Sequence, residues 1–152
     1  RVGWVGAAKP IISQLVLMKQ AADLHSATIN QMAVHQVAQA CFESHIPKVR
    51  QTYRARRDAM LTALQAHMPA GVSWTKPEGG MFVWLTLPAG TSGAALLARA
   101  LDTVKVAFVP GQAFFPDGSG ENTIRLSFSN SDEDTIREGI RRLGQVLRAG
   151  GQ

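Results

Sequence analysis

The sequence predicts an α/β chain in two parts, on three observations. The first third carries helical periodicity almost throughout. From Val72 onward, short apolar runs bounded by glycine and proline alternate with helical segments. The chain ends on an amphipathic helix with an acidic start.

Taken in order, Val2 to Val5 is a short apolar run beside glycine and is expected to form a buried strand. Lys9-Pro10 opens a helix, with proline in the first turn and Ile12, Leu15, Val16 and Lys19 at helical spacing. His25 to Thr28 breaks that pattern. A second helix is expected over Ile29 to Glu43, with Met32, Val37, Ala40 and Cys41 turned inward. His45-Ile-Pro47 restarts the chain, because proline suits the first turn of a new helix. Val49, Tyr53, Met60, Leu61, Leu64 and Met68 form its apolar stripe, and Pro69-Ala-Gly71 ends it. Val72 to Trp74 and Met81 to Leu87 read as strands joined by Lys76 to Gly80, whose glycines allow a tight return. A short helix over Ala94 to Leu101 follows, then strands at Val106 to Val109 and Thr123 to Phe128. Ser131-Asp-Glu-Asp134 is a capping box for the last helix, which buries Ile136, Ile140, Leu143 and Leu147. A boundary near residue 45 separates the two parts, 1–45 and 46–152.

With 152 residues the chain is long enough for one domain with a real core, or one domain plus a piece of another. Apolar residues at 45% and charged residues at 18% argue against disorder. No apolar run approaches the roughly 20 residues of a membrane helix, so no membrane partner is expected. The chain opens at Arg1 inside an apolar run, and is expected to be cut from the middle of a longer polypeptide. Its one cysteine, Cys41, suits a reducing compartment such as the cytoplasm.

The net charge of +5 is concentrated in Lys48 to Arg50, Tyr53 to Arg57 and Arg137 to Arg148. Such clusters are either a nucleic-acid patch or the solvated faces of amphipathic helices. Tyr53 is the one aromatic residue among them, short of the successive rings that a base-stacking platform requires, which favours solvated faces and no nucleic-acid partner. Cys41 and His45 share a helix face, but two ligands do not make a metal site. A small buried thiol is the expectation there.

Arg125 is the residue with the most chemical content. Ile124, Leu126 and Phe128 fall on one face of its strand, and Thr123, Arg125, Ser127 and Ser129 on the other. A guanidinium is a planar fork that grips a carboxylate with two parallel hydrogen bonds. Spacing alone favours an ordinary exposed strand arginine over that role. It leaves open whether Pro110 to Pro116, with paired aromatics, lines a pocket or plugs a surface.

Four segments together resemble one family. Arg1-Val-Gly-Trp-Val resembles the strand that follows the cofactor-bearing lysine in class I/II pyridoxal-phosphate (PLP) aminotransferases of fold type I. Lys76-Pro-Glu-Gly-Gly-Met-Phe-Val-Trp-Leu resembles their small-domain hairpin, Val106 to Phe115 their next strand and loop, and Asn122 to Ser129 the strand with their substrate arginine. The branch most similar is that of the 2-aminoadipate, kynurenine and broad-specificity aminotransferases. The resemblance implies the end of the large domain over 1–45 and the small α+β domain, with the interdomain helix, over 46–152. It implies PLP as cofactor, amino acids and 2-oxo acids as substrates, and a homodimer. Arg1 matches the arginine that pairs with the PLP phosphate, and Arg125 the one that clamps the substrate α-carboxylate. Thr28 and Asn30 match a segment that approaches the neighbouring subunit's cofactor. Lys9, Lys19, Lys48, Lys76 and Lys105 all follow Arg1, so none matches the family's lysine, and the chain alone is expected to be inactive. An aminotransferase-like domain fused to a winged-helix transcription regulator is the alternative that the same resemblance allows.

Overall fold

The computed structural model describes residues 2–150, and the chain divides into two compact units, Arg1–Lys48 and Val49–Gln152. Arg1 lies outside the described residues.

In the first unit, residues 2–8 have no regular structure. The strand expected at Val2 to Val5 is absent. A strand exists only by pairing, and the described part of this unit contains no other strand; Trp4 is 90% exposed. Helix α1 spans Lys9–Ala22 with proline in its first turn, and Lys19 Nζ lies 2.7 Å from Asp23 at its end. The chain reverses through Leu24 at a φ of 64°. Helix α2 then spans Thr28–His67.

Two helices were expected where α2 runs unbroken. Pro47 lies inside it, not at a new start. Proline removes one N–H and crowds the carbonyl four residues back, at a cost of about 3 kcal/mol. Forty residues of helix carry that single lost bond without breaking. The boundary between the units falls within this helix, after Lys48. The inward face expected for its first half is not buried either: Met32 is 60% and Val37 61% exposed. Among the described residues of the first unit, nothing buries them. Cys41 is half-buried, and its thiol donates to the Val37 carbonyl at 3.1 Å.

The second unit contains the core. Strands β1 (Ser73–Trp74), β2 (Phe82–Thr86), β3 (Val109–Pro110) and β4 (Thr123–Ser127) form an antiparallel sheet in the order β1-β2-β4-β3. The β2–β4 pairing sets Phe82 opposite Ser127, Trp84 opposite Arg125 and Thr86 opposite Thr123. Strand β3 sets Val109 opposite Arg125 from the other side. Helix α3 spans Gly93–Thr103, capped by the Ser92 hydroxyl, and α4 spans Glu133–Ala149. The N-cap of α4 is Asp132, whose carboxylate accepts from the Thr135 amide at 2.8 Å, and not Ser131. The strand expected at Val106 to Val109 shrinks to Val109–Pro110, because the Val106 amide is spent on the Ala100 carbonyl at the end of α3.

One sheet face is covered by helix. Val83, Leu85, Ile124, Leu126 and Phe128 meet Met60 and Leu64 of α2, Leu96 and Ala100 of α3, and Ile136, Ile140 and Leu143 of α4. Their periods of two and of three to four are those of the sequence, and the burial follows them. Close approach of α4 to the end of α2 depends on Gly144, where a Cβ would collide with the His67 carbonyl oxygen. That oxygen also accepts from Arg148 at 2.7 Å. Among the described residues no helix is long and apolar enough to cross a membrane.

Two glycines of α4 make opposite predictions. Gly144→Ala forces a methyl group into backbone, and should lower unfolding free energy by about 1–3 kcal/mol. At Gly139 a Cβ meets nothing within 4 Å, so Gly139→Ala should raise it by about 0.5–1 kcal/mol through helix propensity. Denaturant titration of the two variants checks both signs. A third expectation concerns Glu138, whose carboxyl is held down at about 2, from an ordinary 4.5, chiefly by hydrogen bonds from Arg141 and then Arg142. A depressed carboxyl stabilises the fold above its unfolded pKa and loses that effect as pH falls towards the folded one. The midpoint difference between wild type and Glu138→Gln should therefore be small at neutral pH, given the exposure of the pair, and should vanish from pH 4.5 down to 2.

Candidate functional site

The sheet face away from the helices carries Phe82, Trp84 and Thr86 of β2 and Thr123, Arg125 and Ser127 of β4. Strict alternation puts them there: every second residue of each strand is committed to the core. Arg125 sits at the centre, on an inner strand, with Trp84 and Val109 as its neighbours across the ladders. It is half-buried.

The hydroxyls expected to flank it are otherwise engaged. Thr123 Oγ1 donates to the Gly120 carbonyl at 2.6 Å. The Ser127 and Ser129 hydroxyls bond to each other at 3.0 Å, and the Ser129 carbonyl accepts from Arg56. Arg125 forms no hydrogen bond or ion pair among the described residues. Its contacts are aromatic: Cζ lies 4.0 Å from the Phe82 ring centroid and 4.6 Å from that of Phe114. Phe114 comes from the 3-10 turn Gly111–Phe114 that follows β3. Trp84 meets Phe114 edge-on, with centroids 5.6 Å apart, and Phe115 at 6.0 Å. The paired aromatics of the Pro110 to Pro116 loop thus gather at the arginine. That bracket was not anticipated, since its rings come from two segments some thirty residues apart.

Chemically, a half-buried guanidinium whose donors meet no acceptor among the described residues can receive an anion, and a carboxylate offers two oxygens in the plane of its fork.

The other sequence candidates are dispersed. Thr28 and Asn30 stand exposed in the first turn of α2, where the Asn30 amide bonds to the Ala27 carbonyl. The basic cluster at Arg50 to Arg57 lines a cleft of about 480 Å³ with Tyr53, Glu78, Gly79, Gly80 and Phe128. There Arg57 is tied to Asp58 and the Pro77 carbonyl, while Arg50 and Arg54 are exposed. No group of three or more potential metal ligands occurs among the described residues.

Comparison with known proteins identifies the family. The family model of aminotransferase class I and II matches residues 1–143. The chain is 47% identical to the 2-aminoadipate transaminase of Thermus thermophilus over 97% of its length, and spans 37% of that relative. The crystal structure of LysN, the α-aminoadipate aminotransferase of the same species, was solved with N-(5'-phosphopyridoxyl)-L-leucine. It superposes with a TM-score of 0.80 at 47% identity, over 94% of this chain and 36% of that one. The HTH-type transcriptional regulator YdfD of Bacillus subtilis is 30% identical over 97% of this chain, which spans 30% of it. With the family model matched over residues 1–143 and a fold shared over nearly the whole chain, the chain belongs to the class I and II aminotransferase family.

Proposed function

We propose that the intact protein is a PLP-dependent aminotransferase that moves an amino group from an L-amino acid to a 2-oxo acid. The single observation that carries the reading is Arg125, half-buried and without an anionic partner among the described residues, in a chain 47% identical to a transaminase. Both substrate classes present a carboxylate beside the reacting carbon, so one fork serves both half-reactions.

Arg125 binds that carboxylate through two charge-assisted hydrogen bonds and fixes one end of the substrate. Fixing it limits rotation about the bond to the reacting carbon, and orientation of this kind lowers the barrier within the range available to proximity effects. PLP, when bound, supplies the electron sink for the chemistry at that carbon. Arg1 is read as the partner of its phosphate, on the resemblance of Arg1-Val-Gly-Trp-Val to the family's strand. Thr28 and Asn30, exposed hydrogen-bond donors at the positive end of α2, suit the phosphate of a cofactor bound in a neighbouring subunit. Residues 1–45 are read as the end of the large domain and 46–152 as the small domain. The lysine of the reaction belongs to the remainder of the protein. A cytoplasmic homodimer completes the reading.

The regulator reading rests on the likeness to YdfD at 30% identity. The higher identity to a transaminase favours the enzyme. The two part on a simple assay: an enzyme forms a new amino acid from an added 2-oxo acid, and a regulator without activity does not.

In the full-length protein, Arg125→Ala should lower kcat/KM for the amino donor by about a hundredfold or more, with cofactor absorbance retained. Turnover at the wild-type level would remove the carboxylate assignment. Arg1→Ala should raise the dissociation constant for PLP, measured by equilibrium dialysis, by about tenfold or more, as expected for loss of a charged hydrogen bond. The 152-residue chain by itself should form no product.

A further inference from the structure

We infer that Phe82 and Phe114 are positioning residues that hold the Arg125 guanidinium ready for a carboxylate, with Trp84 and Gly111 setting Phe114 in place. The inference rests on the reading of Arg125 as the carboxylate fork and adds to it a reason for the rings around it.

Burial does not explain these rings. Phe114 is 48% and Phe82 39% exposed, and both lie on the sheet face opposite the core. They approach Arg125 from both sides of β4, Phe82 from β2 and Phe114 from the turn after β3. Each ring centroid is within 4.6 Å of Cζ. Phe114 is in turn fixed by Trp84, which stands opposite Arg125 in the ladder. A Cβ on Gly111 would lie 2.7 Å from the Trp84 indole and would collide with Thr123 Oγ1. Only glycine lets the turn settle against the indole with Phe114 directed at the arginine.

The physical logic concerns which atoms are used up. A carboxylate partner would steady the arginine but occupy its N–H donors. An aromatic face attracts the cation through the ring quadrupole and leaves the donors free. A flexible arginine must lose its rotamer freedom when it binds an anion, and one already restrained loses less. The rings therefore strengthen carboxylate binding without touching the substrate themselves.

The test uses the full-length protein and the amino acid it turns over fastest. Phe82→Leu and Phe114→Leu keep apolar bulk and remove the ring. Each should raise KM by about three- to thirty-fold, the range of a cation–π contact, with kcat moved much less. Phe114→Tyr retains the ring and should stay near the wild-type KM. In an Arg125→Met background, Phe114→Leu should lower kcat/KM no further. If KM is unmoved by either leucine substitution while Arg125→Met still raises it, the positioning role is overturned and the carboxylate reading stands. If Arg125→Met leaves KM unchanged, the carboxylate reading itself falls. Equal losses from Phe114→Leu with and without Arg125 would mark the ring as generally structural and overturn the inference. Damage from Phe114→Tyr as large as from Phe114→Leu would do so too.

Discussion

A cation held on the open face of a β-sheet beside two phenyl rings, with none of its donors committed among the described residues, sets the terms for the rest of this structure. An ionised group shielded from water costs free energy unless something replaces the lost solvation. Here the rings replace part of it, by an amount of about 0.5–2 kcal/mol each. The remainder is available to whatever anion arrives, and a charged hydrogen bond contributes about 1.5–3 kcal/mol. The balance leaves the arginine stable without an anion and responsive to one.

That arrangement requires a rigid support, and the support is the alternation of β4. Ile124, Leu126 and Phe128 are locked into a core shared with three helices, so Arg125 cannot slip without turning all three out of it. The ladders on both sides reinforce the register, through five residue pairs to β2 and two to β3. Clearance matters as much as contact. Gly144 lets α4 close on the end of α2, which completes the layer beneath the sheet, and Gly111 lets the turn after β3 close on Trp84 above it. Both are places where a methyl group would separate elements that the site needs together.

How legible this was depends on the range of the interaction. The face assignment of Arg125 and the stripe of α4 follow from local periods, and the structure keeps the first and buries Ile136, Ile140 and Leu143 of the second, with Val146 buried and Leu147 only partly so. Family resemblance rests on four short segments and carried the fold. Local signals failed where a residue's usual preference yields to length or to partners. Pro47 resembles a helix start, yet the helix around it is long enough to absorb the lost bond. Val2 to Val5 has strand composition, yet composition cannot supply the neighbour that a strand must pair with. The aromatic bracket was invisible for a different reason: it unites β2 with the turn after β3 through a strand lying between them, and no spacing rule links residue 82 to residue 114.

The same distinction separates the arginines of this basic chain. Arg50 and Arg54 stand on the exposed flank of α2, where water solvates a guanidinium fully and a partner would add about 0–1 kcal/mol. Arg137, Arg141 and Arg142 are bound to acids on their own helix, within four residues, and Arg142 also reaches the Val104 carbonyl at the end of α3. Arg125 has neither full hydration nor a carboxylate from the described chain. Charge by itself therefore says little about function here. On the proposed reading, a binding group is a charge placed by the core, restrained by rings and without an acidic partner among the described residues, and Arg125 meets all three conditions.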